Sequence, residues 1–129
     1  MSAESEILAI EHTMSDAFNA GKIETILALF DEELIGFSST QHERLVGINA
    51  LRETFHFYLK EADHLEYHMI SPIIKILDEK VAIATFYWLV ILMNGKTRRE
   101  IQGRGTHVFL KKEEGWKIIH EHFSRSFHQ

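Results

Sequence analysis

Apolar residues recur at helical spacing over the first half of the chain and at strand spacing over the second. Ile7, Ile10, Met14, Ala17 and Phe18 fall on one stripe of a helix, and Gly21 stands where a helix cap needs a left-handed residue. A second, shorter group at Ile23, Ile26, Leu27 and Phe30 predicts another helix. The acidic Asp31-Glu32-Glu33 follows, and then a short strand from Leu34 to Phe37. After Gly47, the spacing of Ile48, Leu51, Phe55 and Tyr58 predicts a third helix ending near Ala62. From His64 the period changes to two. Segments 64–77, 80–93, 97–111 and 116–125 are rich in Ile, Val, Phe, Tyr and Trp, and short polar separators divide them at Asp78-Glu79, Asn94-Gly95 and Glu113-Glu114-Gly115. Each separator fits a hairpin, so the segments read as an antiparallel meander. Pro72 puts the first long segment at a sheet edge or on a bulge. Helices followed by strands define an α+β chain, read as one domain over 1–129.

Segment 81–93 is apolar on both parities, so both of its faces need cover. The three helices cover one. Long loops or a second copy of the chain supply the other, and a two-fold homodimer is the simpler symmetric arrangement. Trp88, Trp116, His120 and His122 are assigned to that outer, dimer-forming face. In the last hairpin, a three-residue Glu113-Glu114-Gly115 loop pairs Lys112 with Trp116. His107 then faces Glu121 and Phe109 faces Ile119 on one side, while Trp116, Ile118, His120 and His122 share the other. A loop one residue shorter would exchange the two sets.

Composition narrows the function classes. The chain has 129 residues, 45% hydrophobic and 26% charged, which is globular rather than disordered. It has no cysteine, which removes disulfides, thiol catalysis and thiolate metal sites. A net charge of −5 argues against a nucleic-acid partner, and the group Lys96, Arg98, Arg99 and Arg104 reads as a solvated hairpin edge rather than a phosphate site. The uncharged run Val81–Gly95, fifteen residues long, is too short for a membrane span and ends in a turn. With Glu4, Glu6 and Glu11 where a leader would be basic or apolar, the expectation is a cytoplasmic protein with no membrane partner. Nine histidines match no HExxH or zinc-finger spacing. His120-x-His122 supplies half a metal site and no further ligand at a defined spacing, so no metal and no cofactor are assigned.

The Thr106-containing strand, the Gly115-Trp116 turn and the ending His120-x-His122-x-Ser124 resemble the terminal hairpin of the nuclear transport factor 2-like superfamily. Within it, the chain is most similar to the SnoaL-like branch and to the association domain of calcium/calmodulin-dependent kinase II. Ala17-Phe18-Asn19-Ala20-Gly21, then Leu27-Ala28-Leu29-Phe30 and Val46-Gly47, carry the same order at the start. The resemblance implies a cone of three N-terminal helices on a curved antiparallel sheet, a pocket between helices and sheet, and dimers through the outer sheet face. Implied activities range over isomerases, cyclases, dehydratases and oligomerisation domains. The residues that serve ketosteroid isomerases fall here on Met14, Ser38 and Thr106, none of which can do that chemistry. The pocket arginines of the association domain fall on His107 and Phe123, so a carboxylate ligand held by arginine is not implied.

What remains is a pocket of aromatics with a polar pair. His107 beside Glu121 is either an oriented acid/base pair or a self-satisfied cross-strand pair. Arg104 is a candidate ligand contact, and Met14, Phe18, Phe37, Phe55, Tyr58, Phe109 and Phe123 are candidate walls. The leading expectation is a protein that binds or transforms a small apolar molecule. The alternative is a non-catalytic association domain.

Overall fold

The computed structural model describes residues 2–126, so Met1 and residues 127–129 of the expected 1–129 domain lie outside the described residues. Helix α1 spans Ala3–Asn19, α2 Ile23–Leu27 and α3 Ile48–Lys60. Ser2 opens α1 by accepting the Ser5 backbone N–H, and Ala20-Gly21-Lys22 closes it in a Schellman turn. Gly21 takes φ +70°, while Lys22 and Gly21 donate to the carbonyls of Ala17 and Phe18. Six strands follow the order β2-β1-β6-β5-β4-β3. Their ranges are β1 Phe30–Phe37, β2 Leu45–Val46, β3 His64–Ile76, β4 Val81–Asn94, β5 Thr97–Lys112 and β6 Gly115–Arg125.

The meander of β3 to β6 is antiparallel as expected, but the whole sheet is mixed, because β1 runs parallel to β6. Phe30 opens β1 rather than closing α2, and β2 is a two-residue strand that the pattern did not reveal. Pro72 lies on an edge strand and in a bulge: pairing with β4 shifts between Ile70 and Ile73, and Ser71 takes φ 53° just before the proline.

The last hairpin turns one residue earlier than expected. Lys112 pairs with Gly115, Lys111 with Trp116 and Phe109 with Ile118, until a bulge at Ile119 restores the expected pairing of His107 with Glu121. The bulge reconciles two demands. Trp116 and Ile118 must enter the core near the turn, while further along Glu121 must point inward and His120 and His122 outward.

The core lies between α1, α3 and the inner sheet face, where Ile7, Leu34, Leu51, Ala82, Phe109 and Ile118 are all but inaccessible. Asn19, at the end of α1, is docked to the edge strand. Its side chain accepts from the Tyr67 N–H at 2.6 Å and donates to the Tyr67 carbonyl at 2.9 Å, as a neighbouring strand would. Gly103 and Gly105 leave room for large neighbours. A Cβ at Gly103 would collide with the Trp88 indole and the Ser124 carbonyl, and one at Gly105 with the rings of Phe86 and Phe123. The aromatics of β4 therefore lie over the backbone of β5.

Candidate functional site

Between the helices and the sheet lies a cavity of about 90 Å³. That is several times the space one water needs and suits a small organic molecule. Met14 and Phe18 of α1 and Phe55 and Tyr58 of α3 form the helical wall. The sheet wall comes from Leu65 and Tyr67 of β3, from Trp88, Val90 and Leu92 of β4, and from Ile101 of β5. Phe123 and Glu121 of β6 complete it, with Ser38–Thr40 beyond β1 and Glu61 after α3.

These walls are held by specific contacts. Phe18 packs edge-on against Phe55 with centroids 5.8 Å apart, and Trp88 stacks on Phe123 at 5.9 Å and 17°. The Trp88 Nε1–H donates to the Arg104 carbonyl at 3.1 Å, which fixes the indole plane. The Tyr58 hydroxyl meets the Ser38 hydroxyl at 2.5 Å and donor Thr40 Oγ1 at 3.3 Å. Burial, the largest influence, raises the pKa of Tyr58, so the phenol stays neutral through the physiological range.

Glu121 is the buried charge of the cavity, 6% exposed. Its Oε1 accepts from His107 Nε2–H at 2.7 Å, and on the far side His107 Nδ1–H donates to Glu11 Oε2 at 2.7 Å. His107 is wholly buried among Phe30, Phe86, Phe109 and Phe123. Burial by itself pushes its pKa down, but attraction and hydrogen bonds from the two carboxylates outweigh that and bring it to about 10. The imidazole is therefore a cation held between two anions at neutral pH. Burial, with Glu11 and Glu121 adding to it, raises the pKa of the Tyr67 phenol as well.

The expected pair of His107 and Glu121 is brought together, yet only Glu121 reaches the cavity. Both ring nitrogens of His107 are bonded to carboxylates, so it can act on a ligand only through Glu121. Glu11 is the partner that the sequence reading missed. It occupies the apolar stripe of α1 between Ile7 and Met14, and a lone carboxylate on a buried stripe was the available signal.

Met14, Phe18, Phe55, Tyr58 and Phe123 line the cavity, whereas two other expected walls, Phe109 and Phe37, and the expected ligand contact Arg104 do not. Phe109 lies deeper, edge-on to His107. Phe37 lies 5.2 Å from His122, with the Arg44 guanidinium 5.4 Å over its ring. Arg104 is exposed, because Gly103 and Gly105 take the inner positions on either side of it.

The outer-face assignment needs a correction at both tryptophans. Trp88 and Trp116 are 3% and 5% exposed and belong to the core, Trp88 because its parity on β4 is the inner one and Trp116 because the hairpin turns a residue early. His120 and His122 do point away from the core, and His120 Nδ1–H donates to the Ile35 carbonyl at 3.0 Å. Among the described residues, no group of three or more His, Cys, Asp or Glu is arranged to hold a metal ion, and no helix is long and apolar enough to cross a membrane.

A pocket between helices and a bulged sheet is an architecture with many solved counterparts. A nuclear transport factor 2-like protein of unknown function from Pseudomonas putida superposes with a TM-score of 0.86 at 19% identity, over 98% of this chain and 89% of that one. The calcium/calmodulin-dependent kinase II hub homology domain of Chlamydomonas reinhardtii superposes with a TM-score of 0.81 at 24% identity, over 98% and 100%. A protein from Novosphingobium aromaticivorans, named provisionally as a scytalone dehydratase, gives 0.81 at 18% identity, over 94% and 82%. At these identities the likeness concerns the fold. Comparison with curated protein sequences finds no match. The SnoaL-like domain profile matches residues 7–128, and the chain belongs to that family.

Proposed function

We propose that this SnoaL-like protein binds a small apolar molecule in the cavity, and that Glu121 is the group that meets the ligand's polar atom. The observation that carries this reading is a cavity walled by aromatic and aliphatic side chains around one buried carboxylate. Glu11 and His107 act behind it as positioning residues. The imidazolium fixes Glu121 Oε1 by a hydrogen bond, which orients the carboxylate toward the cavity to accept a hydrogen bond or a proton. Structural relatives named for dehydration are compatible with such proton chemistry.

Self-association is the second part of the proposal. Ile35, Val46, Ile73 and Tyr87 are each more than half exposed, and all four lie on the sheet face turned away from the helices. Apolar side chains exposed at both ends of that face, on β1–β2 and on β3–β4, suit a two-fold contact between copies. The likeness to kinase hub domains supports it.

The cavity reading is tested by thermal shift with small ring compounds on wild type and on Val90→Trp, which fills the cavity from β4. Saturable stabilisation of the wild type that is absent in the variant is expected. Equal shifts in both proteins, or none in either across the set, would overturn the proposal.

A further inference from the structure

The charges around the cavity are one-sided. Glu121 lies inside it and the exposed Glu61 at its rim, while among the described residues no lysine, arginine or histidine lines it. Behind Glu121, the trio of Glu11, His107 and Glu121 combines two carboxylates with one imidazolium, which leaves one negative charge in excess. The Oε2 atom of Glu121 has no hydrogen-bond partner among the described residues. His107 already satisfies Oε1, so Oε2 is the atom left for a cation or donor in the cavity, and pairing it would offset the cost of holding a carboxylate away from water. The remaining surface is aromatic: Phe18, Phe55, Tyr58, Tyr67, Trp88 and Phe123 surround the same space, and aromatic faces attract cations.

Resting on the ligand-binding role proposed above, we infer that the cavity selects an organic ammonium ion: an apolar body whose charged nitrogen sits among the rings and bonds to Glu121. A ligand carboxylate would meet Glu121 with like charge and find no cation in the wall. A neutral alcohol would fill the space and bond to Glu121, yet leave the excess charge uncompensated.

Benzylammonium, benzyl alcohol and benzoate share one ring and differ in charge, so titration calorimetry of the full chain at pH 7 separates the cases. Benzylammonium should bind about tenfold or more tighter than benzyl alcohol, and benzoate should be weakest. In Glu121→Gln the preference for the cation should fall while benzyl alcohol still binds. Glu61→Gln, altered at an exposed site where folding is not at risk, should lose part of the same preference. If the alcohol binds as tightly as the cation, or benzoate binds best, the ammonium inference is wrong and the pocket reading stands. If none of the three binds the folded wild type, both fail.

Discussion

At the scale of single residues, the molecule is organised around an imidazolium buried between two carboxylates. Its folded pKa of about 10 lies above the unfolded value of about 6.5. Below pH 6.5 both states carry the proton and the stabilisation is fully present. Between about 6.5 and 10 the unfolded chain loses its proton while the folded chain keeps it, so stability falls as pH rises, by on the order of 5 kcal/mol in total. Urea unfolding across that range should show this decline in the wild type and a much flatter profile in His107→Gln. Removing one carboxylate leaves the cation short of a partner in a dry site, so Glu11→Ala should cost about 3–5 kcal/mol at pH 7 by the same assay. A cost below 1 kcal/mol would show that Glu11 is not a partner of the buried cation. The sequence made two of this trio legible. His107 and Glu121 share a hairpin, where pairing arithmetic works, but Glu11 lies 96 residues from His107 and joins it only through packing of α1 on the sheet.

Among the elements, the hairpins and helices could be read from period and turn residues, since Asn94-Gly95 and the apolar stripes act locally. Trp116 shows where local reading fails. The choice between a two- and a three-residue turn at Glu113-Glu114 depends on which side chains the core accepts, and the bulge at Ile119 is visible only after both ends of β6 are satisfied. The parallel pairing of β1 with β6 was equally hidden, because strand order across the sheet is a long-range choice. Close backbone approach makes its own prediction. Gly103→Ala should destabilise the fold by about 1–3 kcal/mol, as its methyl group displaces the Trp88 ring. Near-ultraviolet circular dichroism should report the displaced indole, and an unchanged tryptophan signal would mean that β5 tolerates the methyl group.

Over the whole molecule, one sheet separates two roles: its inner face with the helices encloses the cavity, and its outer face carries the exposed apolar residues. The two-faced apolar pattern of β4 called for cover on both faces, although it did not say that Trp88 belongs to the inner one. Replacing Ile73 and Tyr87 together by Glu should abolish the proposed self-association in sedimentation, with ligand binding retained. Sedimentation unchanged from wild type would place any association elsewhere. The central claim, that the enclosed space is a ligand site, is tested most directly by methyl nuclear magnetic resonance during titration with benzyl alcohol and benzylammonium in turn. Saturable shifts should concentrate at Met14, Leu65, Val90, Leu92 and Ile101, which line the cavity. Shifts confined to Ile35, Val46, Ile70 and Ile73 on the exposed surface, or no saturable shift with either compound, would contradict it.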